Sequence, residues 1–172
     1  MPAMDGVQEF HPEKISRTGE RNAWILTVLS WAVAWGLVRF LDAPVLLLSV
    51  FAGFLTLAAA AISLGNWIDR KTVLTLTPEG VAFRNGLRNV QMTWAQIQKV
   101  RVVPDRWGER VHVLGTGAHF NFRMLGEIEF QDKLHERIGF TSGDQILQTI
   151  LKSSGLKLVR NDEGERYYAR GE

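Results

Sequence analysis

Residues 43–65 read APVLLLSVFAGFLTLAAAAISLG and contain no charged side chain. The preceding run, residues 23–41, reads AWILTVLSWAVAWGLVRFL, and its one charge, Arg39, lies near its end. A helix needs about 20 mostly apolar residues to cross a hydrocarbon core about 30 Å thick. A chain of 172 residues is too small to bury two such helices in a protein core. Residues 23–68 are therefore predicted to form a two-helix transmembrane hairpin.

The connection between the two runs is short, since only Asp42 and Pro44 interrupt the apolar sequence. A short connection makes the helices antiparallel and leaves both chain ends on one side of the membrane. Cations favour the cytoplasmic flanks of membrane helices. The cations that flank this hairpin are Lys14, Arg17, Arg21, Arg70, Lys71, Arg84 and Arg88. We expect an integral protein of a bacterial-type inner membrane, with both termini cytoplasmic and residues 1–22 forming a cytoplasmic segment.

The composition excludes several kinds of functional site. The chain has no cysteine, which rules out disulfides, cysteine zinc sites, iron–sulfur centres and thiol nucleophiles. Four histidines do not suggest a His-rich metal centre. The turn at residues 115–117 lacks the helix and further glycine of a dinucleotide site, and no nucleophile–base motif is present. We expect no enzyme activity, no catalytic residue, no bound metal and no cofactor.

After the hairpin, from Lys71 onward, apolar residues recur at every second position, the pattern of β-strands. Turn sequences separate the first strands, Pro78-Glu79-Gly80 and then Asn85-Gly86. Six or seven short antiparallel strands are predicted, with residues 126–130 as the last. They would form a bent sheet or barrel.

The final part of the chain changes to a helical period. Ile146, Leu147, Ile150 and Leu151 share one face of a predicted helix. Ser142 is suited to begin this helix and Gly155 to end it. An apolar helix at this place would cap the open end of the sheet. We expect the folded cytoplasmic domain to cover residues 71–158, and residues 159–172 to form a charged, frayed tail.

A family resemblance rests on three parts of the sequence. They are the segment Leu74-Thr75-Leu76-Thr77-Pro78-Glu79-Gly80-Val81, the corner Met92-Thr93-Trp94-Ala95-Gln96-Ile97, and the helix that follows. Together they resemble the bacterial membrane-anchored pleckstrin-homology-like (PH-like) domains. In that family one or two transmembrane helices precede a bent sheet with a C-terminal helix. The resemblance implies a membrane helical hairpin followed by an α+β, PH-like domain that serves as an interaction module.

A polar loop between two predicted strands contains the first candidate site, Arg106 with Trp107. Trp107 has two interpretations. It covers the rim of the barrel, or it is an exposed anchor for a partner or a membrane, since exposed aromatics are frequent in interaction hot spots. We take Arg106 and Trp107 as the candidate partner-binding residues.

Further cations flank the loops of the domain. The candidate lipid-binding residues are Arg84, Arg88, Arg101 and Arg110, with Arg106 nearby. The resemblance to PH domains implies an anionic-lipid contact at such loops, although the dense basic motif of inositol-phosphate binders is absent. A solvated face of mixed charge is the alternative. Nucleic-acid binding is not expected, because the net charge is only +2 and no stacking platform is present.

These observations favour a non-catalytic, membrane-anchored interaction module, an accessory or assembly subunit of a membrane protein complex. The expected partners are membrane lipids and a membrane protein, and a second copy of the chain is also possible. The alternative is a protein that senses anionic lipids. A third class, a membrane enzyme or cofactor carrier, would require a small molecule near Trp31 and Trp35 or in the barrel.

Overall fold

The computed structural model describes residues 6–13, 16–41, 44–130, 133–162 and 164–170. The chain divides into two compact units. Ser16–Ile68 forms a helical unit, and the described residues before and after it form a β-rich unit. The predicted fold class is confirmed, with two long apolar helices, antiparallel sheets and a C-terminal helix.

The helical unit consists of α1, Thr18–Leu41, and α2, Val45–Arg70. Both helices are long and apolar enough to cross a membrane. Polar groups join the pair: Trp24 Nε1 donates to Ser63 Oγ at 2.8 Å, and Trp31 Nε1 donates to Thr56 Oγ1 at 3.0 Å. The indole of Trp31 is thus engaged by the neighbouring helix. Ala52 and Ala59 of α2 are buried, as expected where small residues let helices approach closely.

The first sheet contains a strand from each side of the hairpin. Its order is β1-β2-β3-β4, formed by Gln8–Phe10, Val73–Leu76, Gly80–Arg84 and Asn89–Thr93. β1 pairs antiparallel with β2, so that Phe10 lies opposite Leu74. The two helices therefore lie, in sequence, between two paired strands. Pairing of β1 was not predicted, because three residues are too few for an alternating pattern.

The corner after β4 has the form expected from its sequence. A short 3-10 turn, Trp94–Gln96, joins β4 to β5. The Trp94 indole donates to the Pro78 carbonyl at 2.9 Å, and Ile97 is fully buried. The corner thus fixes where the chain leaves the first sheet for the second.

The second sheet has the order β10-β11-β5-β6-β7. Its strands are β5 (Ile97–Asp105), β6 (Gly108–Gly115), β7 (His119–Arg123), β10 (Lys157–Asp162) and β11 (Glu165–Ala169). The expectation of a frayed tail is wrong for its described part, because β11 pairs with β5 and Tyr168 packs against the core. A charged sequence concealed this hairpin, since β10 is exposed and β11 is only half-buried.

A separate hairpin follows the second sheet. It is formed by β8, Gly126–Phe130, and β9, Lys133–Ile138. The first of these strands was predicted and the second was not. Within the described residues, the strands form separate sheets and do not close into one barrel.

The C-terminal helix α3, Gly143–Ser154, lies as predicted with its apolar face inward. Ile146 and Ile150 are fully buried, and Gly155 ends the helix with a φ of 68°. The helix joins a core that both sheets share, where Phe83 stacks on Phe120 with ring centroids 5.2 Å apart. The core thus draws side chains from both sheets and from α3.

Candidate functional site

Trp107 lies in the tight turn between β5 and β6. Gly108 completes the turn with a φ of 93°, a conformation that glycine adopts without strain. The turn packs against the start of β8, because a Cβ on Gly126 would lie only 2.1 Å from the Trp107 carbonyl oxygen. The turn is therefore held by backbone packing and is more constrained than the loop that the sequence suggested.

Asp105 organises the cations around this turn. Its carboxylate accepts from Arg110 and from Arg123, each at 2.7 Å, and from the backbone N–H of Arg106 at 2.8 Å. These donors lower the pKa of Asp105 to about 2, the Arg106 N–H first and then the two guanidinium groups. Arg110 is thus already paired with a carboxylate, which weakens its case as a lipid ligand. Arg123 was missed in the sequence, because β7 brings it to the turn from another strand.

The ring of Trp107 lies near two guanidinium groups. Arg106 is 5.0 Å and Arg123 is 5.9 Å from the ring centroid, both within the range of cation–π contacts. The side chain still leaves 36% of the residue exposed. Trp107 thus contacts the domain through these guanidinium groups and also presents surface, and its role as an anchor for a partner stays a prediction.

The turn between β3 and β4 holds the second pair of candidates, Arg84 and Arg88. Asn85 Oδ1 accepts from the backbone N–H groups of Leu87 and Arg88, which shapes the turn. Leu87 at its tip is 63% exposed. Arg88 reaches β7, where its Nη2 donates to the His119 carbonyl at 3.2 Å. This turn thus presents an apolar tip between two exposed cations.

Arg101 lies on β5 and is separated from both turns. It forms a bidentate ion pair with Glu165 of β11, with Nη2 to Oε2 at 2.9 Å. The pair lowers the pKa of Glu165. The four lipid-binding candidates thus occupy three places: one turn, one strand face and one ion-paired cluster. The sequence could not reveal this division, since Glu165 lies 64 residues from Arg101.

The outward face of the second sheet collects further cations. We call it the cationic face and define it by Lys99, Arg101, Arg110, His112, His119, Arg123, Lys157 and Arg160. The alternation of apolar and polar residues along β5, β6 and β7 indicated in the sequence which of their side chains share the outward face. The contribution of β10 depended on a hairpin that the sequence did not reveal.

An open groove of about 320 Å³ lies beside β3 and β4, with Gly80, Ala82 and Gln91 among its lining residues. Another open groove, of about 650 Å³, is lined by Pro104, Arg160, Asn161, Asp162 and Glu165. The described residues contain no cluster of three or more metal-ligating side chains.

Comparison with known proteins supports the fold. Residues 71–138 match a family model described as a bacterial PH domain. No curated protein and no solved structure shows a significant match to the chain. The family match confirms the resemblance to bacterial PH-like domains that the sequence motifs predicted. PH domains are in general non-catalytic interaction modules that bind lipids or proteins.

Proposed function

We propose that this chain, with its bacterial PH-like domain, is a non-catalytic, membrane-anchored interaction module. It would act as an accessory or assembly subunit of a membrane protein complex. The two helices anchor the chain in a bacterial-type inner membrane, and the β-rich unit is cytoplasmic. The observation that carries the proposal is the insertion of two membrane-compatible helices between paired strands of a PH-like domain. Such a domain is tied to the membrane by both ends of the hairpin.

The pairing of β1 with β2 supports the proposed topology. β1 precedes α1 and β2 follows α2, yet the two strands share backbone hydrogen bonds. Strands that pair must lie in the same compartment, so a hairpin that crosses the membrane must return to the side it left. The cations that flank the hairpin favour the cytoplasmic side.

Arg106 and Trp107 are the proposed partner-binding residues. Trp107 offers exposed aromatic surface on a turn whose backbone is already fixed against Gly126. A fixed aromatic side chain loses little conformational entropy when it binds a partner. The guanidinium of Arg106 lies beside the ring and could form a hydrogen bond at the edge of the contact.

Affinity purification from native membranes in a mild detergent, followed by protein identification, tests the proposal. We expect membrane proteins in stoichiometric amounts with the wild-type chain. The double variant Arg106→Ala with Trp107→Ala should lose them while keeping its sheet signal in circular dichroism. Gln148→Ala with Lys152→Ala, exposed residues of α3, is the control and should retain the partner. Recovery of the wild-type chain alone would contradict the subunit role, and unchanged recovery with the double variant would remove this turn from it.

The exposed tip of the β3–β4 turn favours a second candidate function, contact with anionic lipid. Arg84 lies opposite Val73, so the turn is at the end of the sheet where β2 begins. Only Lys71 and Thr72 separate α2 from β2. An apolar tip flanked by cations suits a headgroup region, where each cation contributes about 1 kcal/mol.

A fluorescent label tests this lipid contact in the full-length chain. Because the chain has no cysteine, Leu87→Cys gives a single labelling site. A polarity-sensitive dye there should shift its emission to the blue in nanodiscs that contain phosphatidylglycerol, and the shift should fall with salt and with Arg84→Gln plus Arg88→Gln. The same dye at Gln148→Cys, on the exposed side of α3, is the control. Equal emission from Leu87→Cys in neutral and anionic nanodiscs would rule the contact out.

A further inference from the structure

We infer that the cationic face of the second sheet binds an acidic segment of a partner protein. The inference rests on the proposed role as an interaction module and adds a surface and a partner chemistry to it. This surface adjoins the Trp107 turn through Arg123 and the β3–β4 turn through Arg88, but includes neither the Trp107 ring nor the Leu87 tip.

Strand register aligns the exposed side chains of this face in rows across the sheet. In the first row Lys157 lies opposite Ala169, Ala169 opposite Lys99, Lys99 opposite Leu114, and Leu114 opposite His119. Arg88 extends the row by its hydrogen bond to the His119 carbonyl. Strands lie about 4.8 Å apart, so Lys157, Lys99 and His119 follow one another at about 10 Å.

The second row contains His112, near the middle of the face. Arg160 lies opposite Tyr167, Tyr167 opposite Arg101, Arg101 opposite His112, and His112 opposite Asn121. Arginine, tyrosine, histidine and asparagine all offer hydrogen-bond donors to carboxylate oxygens. A polar ligand laid across these strands would therefore meet donors on each of them.

The carboxylates of this face are few and already paired. Asp105 pairs with Arg110 and Arg123. Glu165 pairs with Arg101, and Asp162 pairs with Arg160. All three carboxylates lie at one end of the sheet, beyond the second row. Among the described residues, Lys99 and Lys157 of the first row have no carboxylate partner, so this row carries uncompensated positive charge.

An acidic polypeptide fits this face better than a bilayer does. The face already binds carboxylates, one to each arginine or arginine pair, in the geometry that an acidic side chain would adopt. It lacks an apolar turn tip like that of the β3–β4 turn, and its exposed apolar residue Leu114 lies within a strand, in register between Lys99 and His119. Its donors are spread over five strands, which suits an extended or helical acidic segment.

The surroundings of His112 supply a pH signature. The charged and titratable groups that face it are Arg101 of β5, Arg110 of its own strand, and His119 of β7, with Asn121 opposite. Partial burial, and after it the charges of Arg110 and Arg101, lower the pKa of His112 below its ordinary value of 6.5. A carboxylate bound beside the ring would oppose the repulsion and raise this pKa again. Binding should consequently strengthen as the pH falls.

A direct test uses the full chain in nanodiscs of phosphatidylcholine alone, with a fluorescent oligoglutamate peptide as the probe and oligoglutamine as its neutral counterpart. We expect anisotropy to show oligoglutamate binding at low salt and none for oligoglutamine. Lys99→Glu should weaken binding about fivefold or more, since it replaces attraction with repulsion. Lys152→Glu makes the same charge change on the exposed side of α3 and should alter binding less than twofold. If Lys99→Glu lowers the melting temperature, Lys99→Gln and Lys157→Gln replace it.

Two results would overturn the inference: equal effects of Lys99→Glu and Lys152→Glu, or no oligoglutamate binding by the wild-type chain. A third result would assign the face to lipid instead. In that case a polarity-sensitive dye on Asn121→Cys shifts its emission in phosphatidylglycerol nanodiscs, and oligoglutamate does not bind. The purification above separates the two proposals. If a partner is recovered but oligoglutamate does not bind, the cationic face is wrong as a binding surface and the proposed interaction module stands. If oligoglutamate binds but no partner is recovered, the subunit role is contradicted.

Discussion

The substitution Gly126→Ala tests the packing that fixes the Trp107 turn. The new methyl carbon would lie 2.1 Å from the Trp107 carbonyl oxygen and 2.6 Å from its carbonyl carbon. An unstrained contact needs more than about 3 Å, so the turn and the start of β8 must separate by roughly 1 Å. Both groups are backbone and cannot rotate away. The cost should therefore fall at the upper end of the range for overpacking, about 3 kcal/mol.

A loss of this size is readily measured. For a domain of this size, about 3 kcal/mol corresponds to a fall in melting temperature of roughly 10–20 °C. Hydrogen–deuterium exchange during heating, read on peptides from β5, β6 and β7, reports the unfolding of the second sheet apart from the hairpin. Gly36→Ala is the matched control, because nothing lies within 4 Å of the position its Cβ would take. An unchanged exchange midpoint for Gly126→Ala would refute the claim that backbone packing holds the turn.

Three further predictions concern stability. Ile150→Ala removes a fully buried side chain and should cost about 3–4 kcal/mol in the free energy of unfolding; exposed Gln148→Ala is the control, and equal urea midpoints would contradict the role of α3 as the cap. The pKa of Asp105 is lowered from 3.8 to about 2, so its stabilising effect is complete above about pH 4 and is lost as the pH falls through 2. Asp105→Asn should flatten the pH dependence of the melting temperature between these values, and an unaltered slope would contradict the Arg110 and Arg123 pairing. The lowered pKa of His112 means that the folded state favours the neutral ring. The free energy of unfolding should therefore be highest above about pH 6.5, where the ring is neutral, and should fall on acidification. His112→Gln should reduce the loss of stability below this pH, and an NMR titration that places the folded pKa above 6.5 would contradict the reasoning.

The family motifs were predictive because they are local. Pro78-Glu79-Gly80 and Asn85-Gly86 set the turns within a few residues of sequence, and the corner at Trp94 leads directly to buried Ile97. Each depends on neighbouring residues, so the succession of strands along the chain from β2 to β8 could be predicted without knowledge of distant contacts.

The candidate site was less accessible to sequence reasoning. Arg106 and Trp107 were identified from the character of their loop, and Arg84 and Arg88 from the hairpin beside them. Their environments depend on Arg123, on Gly126 and on the His119 carbonyl, which come from other strands. No spacing along the chain indicates which of these groups will meet.

The strands β1, β10 and β11 show most clearly the difference between what local sequence predicts and what distant contacts decide. Each is short or strongly charged, so none has enough apolar residues for a recognisable period, and β1 is separated from its partner by both helices. The sequence alone determined the two long apolar helices, the turns between the first strands and the amphipathic α3, because each of these leaves a regular pattern within a short stretch of chain. Only the tertiary structure decided which strands meet, which arginines are neutralised and where positive charge remains, because those outcomes depend on pairing between residues far apart in the chain.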